Sequence, residues 1–328
     1  MESFWKHVPK PFFAMAPMAD VTDAAFRAVV GRRGRPDVFW TEFVSADGLF
    51  HTREIQHIPD TLNPLIRDLA FTPDQHPIVA QIFSSKPEMI TYATKLVAEL
   101  GFDGVDLNMG CPDRSVEKQG AGSALIKKPE QAIEIIRAAK SASAMPVSVK
   151  TRIGYNQEIL EDWLAILLKE SPAAITIHLR TRKEMSLVPA NWDLMKRAVE
   201  IRNCINPDVL LIGNGDVEDL DQGKLLAADT GCDGVMIGRG MFGNPWVFEG
   251  LHDTKWGFTK PPHTLEEKLD ALIELAYGFE NITPSKNFSI LKKHIKAFVT
   301  GFDSAAELRA KLMAANSAAD LDNIVNNR

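Results

Sequence analysis

A thiol, an amine and an imidazole of this chain fall at one recurrent kind of place, the point where a short apolar run gives way to a loop. Cys111 stands in GVDLNMGCPDRSV (104–116), behind Asn108 and ahead of Pro112. Lys150 and Arg152 close PVSVKT (146–151) and its exit, and His178, Arg180 and Arg182 leave AAITIH (173–178). Gln81 lies near the end of PIVAQIF (77–83). Asn214, Gly215 and Asp216 end VLLIGN (209–214), Gly238 and Arg239 end GVMIG (234–238), and Pro17, Met18 and Ala19 end FFAMAP (12–17). Taken singly, each has an ordinary reading: a solvated lysine, a satisfied core histidine, an inert small thiol. The shared position is what stands out. Strand interiors here are apolar and strand ends polar, and polar groups gathered on one rim are expensive unless they serve a ligand.

The elements that would carry these ends are eight apolar runs, completed by VFWTEF (38–43) and GVDLNM (104–109). Continuous apolar runs of this length suit strands buried on both faces, as in a parallel sheet. Between them lie helical patterns. PEMITYATKLVAELG (87–101) ends in Gly, and PEQAIEIIRAAKSA (129–142) opens with Pro at its first turn. Eight strand–helix units in about 250 residues is the arithmetic of a (β/α)8 TIM barrel, whose site lies at the C-terminal strand ends. A doubly wound open sheet would carry G-x-G-x-x-G after its first strand; here that strand ends in Ala-Pro-Met-Ala.

After Trp246 the pattern changes. Residues 251–263 read as a linker, and from Thr264 only helical periodicity remains, in three or four segments. TLEE (264–267) and SAAE (304–307) each place a hydroxyl three residues before Glu, a capping-box pattern. The expected organisation is a barrel over 1–250 followed by a small all-α helical bundle over 264–328.

Composition narrows the classes. The 328 residues are 45% hydrophobic and 24% charged, ordinary for a globular chain. No run approaches the roughly 20 apolar residues of a membrane span, and MESFWKHVPKPFFAMAP has no apolar core of a secretory signal. Cys111, Cys204 and Cys232 are odd in number with no CxxC pair, which argues against zinc and a disulfide framework and fits a reducing cytoplasm. The net charge of −6 excludes a chain that is basic throughout, not a local basic patch. Nothing asks for symmetry, so a monomer is expected.

LIGNGDV (211–217) and GVMIGRGMFGNPW (234–246) put glycines at the mouths of strands seven and eight, where barrels frequently bind phosphate. A barrel with that site can hold FMN, whose N1–C2=O edge gains negative charge on reduction and needs a cation nearby. Lys150 at the end of strand five could supply it, with Gln81 and Asn108 on the ring edge. Cys111 would then face a substrate stacked on the flavin, the position of a proton donor.

APMADVTDAAFR (16–27), DLNMGCP (106–112), SVKTRIG (148–154), ITIHLRTR (175–182), IGNGDV (212–217) and GVMIGRGMFGNPW (234–246) resemble, in order, the motif set of the tRNA-dihydrouridine synthases. LKKHIKAFVTGFDSAAELRAKLMAA (291–315) is similar to that family's helical tRNA-binding part, especially in bacterial B-type members. The resemblance implies an FMN-dependent enzyme that uses NADPH to reduce the C5=C6 bond of a uridine in tRNA. It implies that Pro17, Met18, Ala19, Gln81, Lys150 and His178 line the flavin, and that Asn214, Gly215, Asp216, Gly238 and Arg239 hold its ribityl-phosphate end. Cys111 becomes the general acid, protonated at neutral pH because a thiol titrates near about 8.5. Asn108 and Arg152 contact the uracil, with Arg180 and Arg182 on the RNA side. A basic surface on the tail, from Lys286, Lys292, Lys293, His294, Lys296, Arg309 and Lys311, is the expected phosphate contact.

The chain departs from the family where members often carry Gly after the strand-six His and a Gly-Tyr further on. Here the run is His178-Leu179-Arg180, then Glu184-Met185-Ser186, which leaves the uridine position open. Two alternatives remain. One is an FMN barrel acting on a free pyrimidine, like a dihydroorotate dehydrogenase, or on another RNA. The other is a non-catalytic RNA-binding barrel. The helical tail argues against a free pyrimidine, and Cys111, Lys150 and the glycine loops argue against a dead barrel.

Overall fold

The structure is a computed structural model that describes residues 3–252 and 262–328. Each of the eight apolar runs is a strand: β1 Phe12–Met15, β2 Phe39–Ser45, β3 Ile78–Phe83, β4 Gly104–Asn108, β5 Val147–Arg152, β6 Ala174–His178, β7 Leu210–Asn214 and β8 Gly234–Ile237. All pair in parallel, in the order β1-β8-β7-β6-β5-β4-β3-β2. A parallel bridge between Ala14 and Val38, with Met15 N–H donating to Val38 O at 3.1 Å, joins β1 to the start of β2 and closes the barrel. The strands are buried almost throughout, as expected where helices cover one face of the sheet and the barrel interior fills the other.

Register does the positioning. Parallel pairing sets Gln81 opposite Asp106, Asp106 opposite Ser148, and Asn108 opposite Lys150. It then sets Arg152 opposite His178, His178 opposite Asn214, and Asn214 opposite Met236. Polar residues that stand far apart in sequence therefore form one continuous band across five strands, β3 to β7.

The longer outer helices are Ala24–Arg33, Pro87–Glu99, Pro129–Ala142, Leu160–Lys169, Asp193–Ile205 and Leu220–Thr230. Pro87 and Pro129 each occupy a first helical turn, where the missing N–H goes unneeded. None of the described helices is long and apolar enough to cross a membrane.

The tail is four helices, Leu265–Glu280, Lys292–Phe298, Ala305–Met313 and Ala318–Asn326. The proposed linker 251–263 lies mostly outside the described residues. Thr264 forms the expected box: its hydroxyl accepts from Glu267 N–H at 3.2 Å and Glu267 returns the bond to Thr264 N–H at 2.7 Å. SAAE does not. Ser304 is in the left-handed region (φ +63°) and its hydroxyl caps nothing, because that backbone turns the side chain away from the helix start.

Leu265–Glu280 lies along the barrel helix Ala24–Arg33. Gly278 faces Ala25 so closely that a Cβ would sit 3.3 Å from the alanine's, and Glu274 pairs with Arg32 and Arg33. Leu269, Leu272, Leu275 and Phe279 join the same buried cluster as the barrel helices.

Two residues expected on the basic surface are instead interior. Lys286 is sealed against the barrel, pairing with Glu42 at 2.7 Å and Asp68 at 3.2 Å. His294 is wedged between Phe26 and Phe242, ring centroids 4.8 and 5.2 Å away. Spacing alone could not separate His294 from Lys292, Lys293 and Lys296, because both faces of this short docked helix carry polar types, and Lys286 lies ahead of the helix with no periodicity to orient it. Lys286→Met leaves Glu42 buried without its cation. It is expected to lower unfolding stability by about 3–5 kcal/mol, read as a lower denaturant midpoint.

Candidate active site

The C-terminal strand ends surround a cavity of about 740 Å³. Of the expected site residues, Pro17, Met18, Gln81, Asn108, Cys111, Lys150, Arg152, His178, Arg180, Asn214, Gly215, Asp216, Gly238 and Arg239 line it. Ala19 is exposed and outside the lining, within the turn that the N–H groups of Val21 and Thr22 close onto Met18 O at 3.1 and 3.0 Å. Arg182 is outside too. Its guanidinium pairs with Glu117 at 2.9 Å and lies over the Tyr155 ring. Lys292, Lys293 and Arg309 are on the tail. Lys293 pairs with Asp20 at 3.2 Å, and Arg309 donates to Val299 O at 3.1 Å, at the end of Lys292–Phe298.

The β4 end carries the thiol. Asn108 Oδ1 accepts from the N–H groups of Gly110 (3.1 Å) and Cys111 (2.9 Å), bending the chain back at the strand terminus. Ser123 N–H donates to Cys111 O at 3.0 Å from the other side. Burial pushes the Cys111 thiol up from its ordinary range, against the backbone N–H of Asp113 and the charges of Arg152 and Lys150. At neutral pH the group is Sγ–H.

Lys150 projects from β5 to the cavity floor, where Nζ donates to Asn214 Oδ1 at 3.0 Å. Among the described residues no carboxylate pairs with it. Enclosure by protein, then the nearby Arg152 charge, lowers its pKa to about 8.

The arginines are mostly spent on backbone. Arg152 Nε donates to Gly110 O (2.8 Å), and its Nη1 donates to Thr181 O (3.1 Å) and Met185 O (3.0 Å), tying the β4 loop to the β6 loop. That leaves Nη2 for a ligand. Arg180 Nε donates to Val188 O at 2.6 Å, Nη1 meets His178 Nε2 at 3.0 Å, and Nη2 pairs with Asp216. A guanidinium only donates, so His178 Nε2 must accept and the ring carries its proton on Nδ1. Burial and the cations Lys150, Arg152, Arg180 and Arg239 hold His178 far below its usual range, so it is neutral.

Asp216 spends both carboxylate oxygens at home. Oδ1 takes Arg239 Nη2 at 2.5 Å, and Oδ2 takes Arg180 and the N–H of Ala190 (2.8 Å). It is a holder of two cations at the β7 mouth. The β7 and β8 loops touch there. A Cβ on Gly240 would stand 2.6 Å from Val217 O and 2.7 Å from Glu218 O, so only glycine allows the contact.

Sequence reasoning missed Phe43, Met185 and Met236 as cavity wall, and the buried Asp106 beneath it. Asp106 had a signal, a carboxylate inside an otherwise apolar strand. Met185 had none beyond its place beside Ser186, where the chain departs from the family pattern and which lines the cavity.

Fold and site define a parallel α/β barrel with a cation-rich cleft at its strand C-termini. The sequence model of the dihydrouridine synthase (Dus) family matches residues 14–327, and the chain belongs to that family. A protein of Staphylococcus aureus (strain Mu50) named "Probable tRNA-dihydrouridine synthase" is 43% identical over 325 residues, 97% of this chain and 93% of the relative. One of Bacillus subtilis (strain 168) named "Probable tRNA-dihydrouridine synthase 2" is 44% identical over 324 residues, 96% of this chain and 93% of the relative. Among solved structures, morphinone reductase in complex with tetrahydroNAD aligns at TM-score 0.49 and 12% identity, over 76% of this chain and 88% of that one.

The Lys150 environment has a direct test. Competitive acetylation of the protein across pH, read by peptide mass spectrometry, is expected to show Lys150 gaining reactivity with a midpoint near pH 8. Exposed lysines follow about 10.4. The sign is fixed because a lowered pKa frees the neutral amine earlier as pH rises. A Lys150 midpoint at or above that of the surface lysines contradicts the site electrostatics.

Proposed function

We propose that this chain reduces the C5=C6 bond of a uridine in tRNA to 5,6-dihydrouridine, with FMN bound in the cleft and NADPH as reductant. The observation that carries the reading is a protonated thiol and, on the same cavity, a lysine with no carboxylate partner among the described residues, in a member of the dihydrouridine synthase family. The names of the Staphylococcus and Bacillus relatives support tRNA as the substrate.

The residues present fit FMN. Lys150 is a cation left for a ligand's negative edge. The close β7 and β8 mouths, with Gly215, Gly238 and Arg239, offer small residues and an exposed guanidinium to a phosphate. Met18 and Met236 give apolar wall for a ring, and neutral His178 gives it a hydrogen-bonding edge. When bound, FMN supplies the hydride for uracil C6 that it takes from NADPH.

The chain's own work is placement and proton delivery. Asn108 and the free Nη2 of Arg152 orient the uracil at the mouth. Reduction at C6 builds negative charge on C5 and O4, and Cys111 Sγ gives its proton to C5. A raised pKa keeps the thiol loaded at neutral pH, and the thiolate that results lies beside the charges of Arg152 and Lys150. Asp216 keeps Arg180 and Arg239 in place rather than meeting the phosphate itself. Pro112 stiffens the turn that aims the thiol. Lys292, Lys293 and Lys296, clustered on Lys292–Phe298, together with Arg309, form the part of residues 264–328 that contacts RNA phosphates. The reading places the protein in the cytoplasm with its substrate.

Mass spectrometry of tRNA incubated with the purified protein and NADPH is expected to find dihydrouridine at a defined position. Cys111→Ala is expected to lower that product by about 10²–10⁴-fold while NADPH still bleaches the flavin. Unchanged product in Cys111→Ala removes the general-acid role. Turnover of free orotate with none on tRNA moves the substrate to a small pyrimidine.

A further inference from the structure

A fully buried carboxylate lies one layer below the cleft. Asp106, at the middle of β4, is 0% exposed, and nothing derived so far uses it. Its two oxygens are both taken. Oδ1 accepts from Ser148 Oγ at 2.6 Å and Oδ2 accepts from Gln81 Nε2 at 2.6 Å. Gln81, also 0% exposed, turns its Oε1 to Asn108 Nδ2 at 3.0 Å. Asn108 Oδ1 in turn accepts the backbone N–H groups of Gly110 and Cys111.

The order of donors along this chain is forced. An ionised carboxylate only accepts, so Gln81 must present its NH₂ to Asp106. Its oxygen then faces Asn108, so Asn108 must present NH₂ to Gln81. Only the Asn108 oxygen remains for the loop, and the loop offers only N–H groups. If the Gln81 amide turned over, its oxygen would meet the carboxylate, and the Asn108 oxygen would have to leave the loop to meet the Gln81 NH₂. We propose that Asp106 is a positioning residue: through Gln81 and Asn108 it fixes the amide polarity that holds the Gly110–Cys111 turn, and so sets where the Cys111 thiol stands over the cleft. The inference deepens the proposed function and rests on it for the role of the thiol, but the placement itself is a property of the protein without substrate. Burial raises Asp106 to about 6, against the hydrogen bonds from Gln81 and Ser148 and the Lys150 charge, so at neutral pH it is the acceptor the relay needs.

The test separates acceptance from charge. In Asp106→Asn the new amide can still accept from Gln81 with its oxygen while donating to Ser148 Oγ, so the polarity survives. In Asp106→Leu, similar in size, it does not. Iodoacetamide labelling of each purified protein, read by peptide mass spectrometry with the exposed Cys204 as internal reference, reports the thiol's placement without any turnover. Expected is a Cys111 labelling rate, relative to Cys204, that is unchanged in Asp106→Asn and several-fold higher in Asp106→Leu. With tRNA, Asp106→Leu is expected to lose about 10²-fold in kcat, the scale of a small misplacement, with KM for tRNA and flavin reduction by NADPH unchanged. Should Asp106→Leu fail to fold, Asn108→Asp serves. Two carboxylates then compete for one Gln81 NH₂, and adding Asp106→Asn restores an unbroken donor order running the other way. Labelling in the double variant closer to wild type than in Asn108→Asp supports the relay. Wild-type labelling in Asp106→Leu, equal impairment in Asp106→Asn and Asp106→Leu, or a double variant worse than Asn108→Asp overturns it. A protein that makes no dihydrouridine but shows the labelling pattern leaves the positioning intact and removes the proposed function instead.

Discussion

Positive charge crowded into a cleft is the constraint on which the rest of this structure depends. The cavity wall carries Lys150, Arg152, Arg180 and Arg239 against two carboxylates, Asp216 and Glu218. In a partly dehydrated space like charges repel more strongly than in water. The fold answers by giving each cation rigid partners: carbonyls of three residues for Arg152, one carbonyl and Asp216 for Arg180, a side-chain amide for Lys150. What these partners do not offset is a standing demand for an anionic, electron-rich ligand. The neutrality of His178 and the protonation of Cys111 follow from the same enclosure.

Much of the fold was legible because its signal is physical and local. A strand buried on both faces needs an unbroken apolar run, and eight such runs are eight strands. The cleft was legible for a related reason. Once the runs are strands of a barrel, their polar C-terminal residues share a rim whatever their separation in sequence. That logic located Gln81, Asn108, Lys150, His178 and Asn214. It could not say how a side chain is spent. Arg152, Arg180 and Asp216 read as ligand contacts from position alone, yet the structure commits most of their hydrogen-bonding capacity to loops and to one another. Ala19 and Arg182, one step beyond the rim, show how quickly the positional argument fades in loops.

The tail was the harder part. Helical periodicity marks an apolar face but not its partner. Lys286 and His294 carry polar chemistry in sequence and sit buried in the structure, one because barrel carboxylates match it and the other because two phenylalanine rings flank it. The loop after β6 raises a comparable point at the mouth. Arg152 and Arg180 pin it through Met185 O and Val188 O, so Met185 and Ser186 present their side chains to the cavity from a fixed backbone. The wall there is thus a thioether and a hydroxyl on a backbone held by two arginines.

The seam between tail and barrel bears on how this family can diversify. Gly243, just past β8, approaches the Lys292–Phe298 helix so tightly that a Cβ would come within 2.3 Å of Ala297 O. Glu42, midway along β2, is the carboxylate that Lys286 meets. Neither half can therefore drift without the other. A different tail would fit this barrel only if it brought a cation to Glu42 and a helix backbone able to pass against Gly243. Substitutions are accordingly easier to absorb on the outward face of the tail than along this seam.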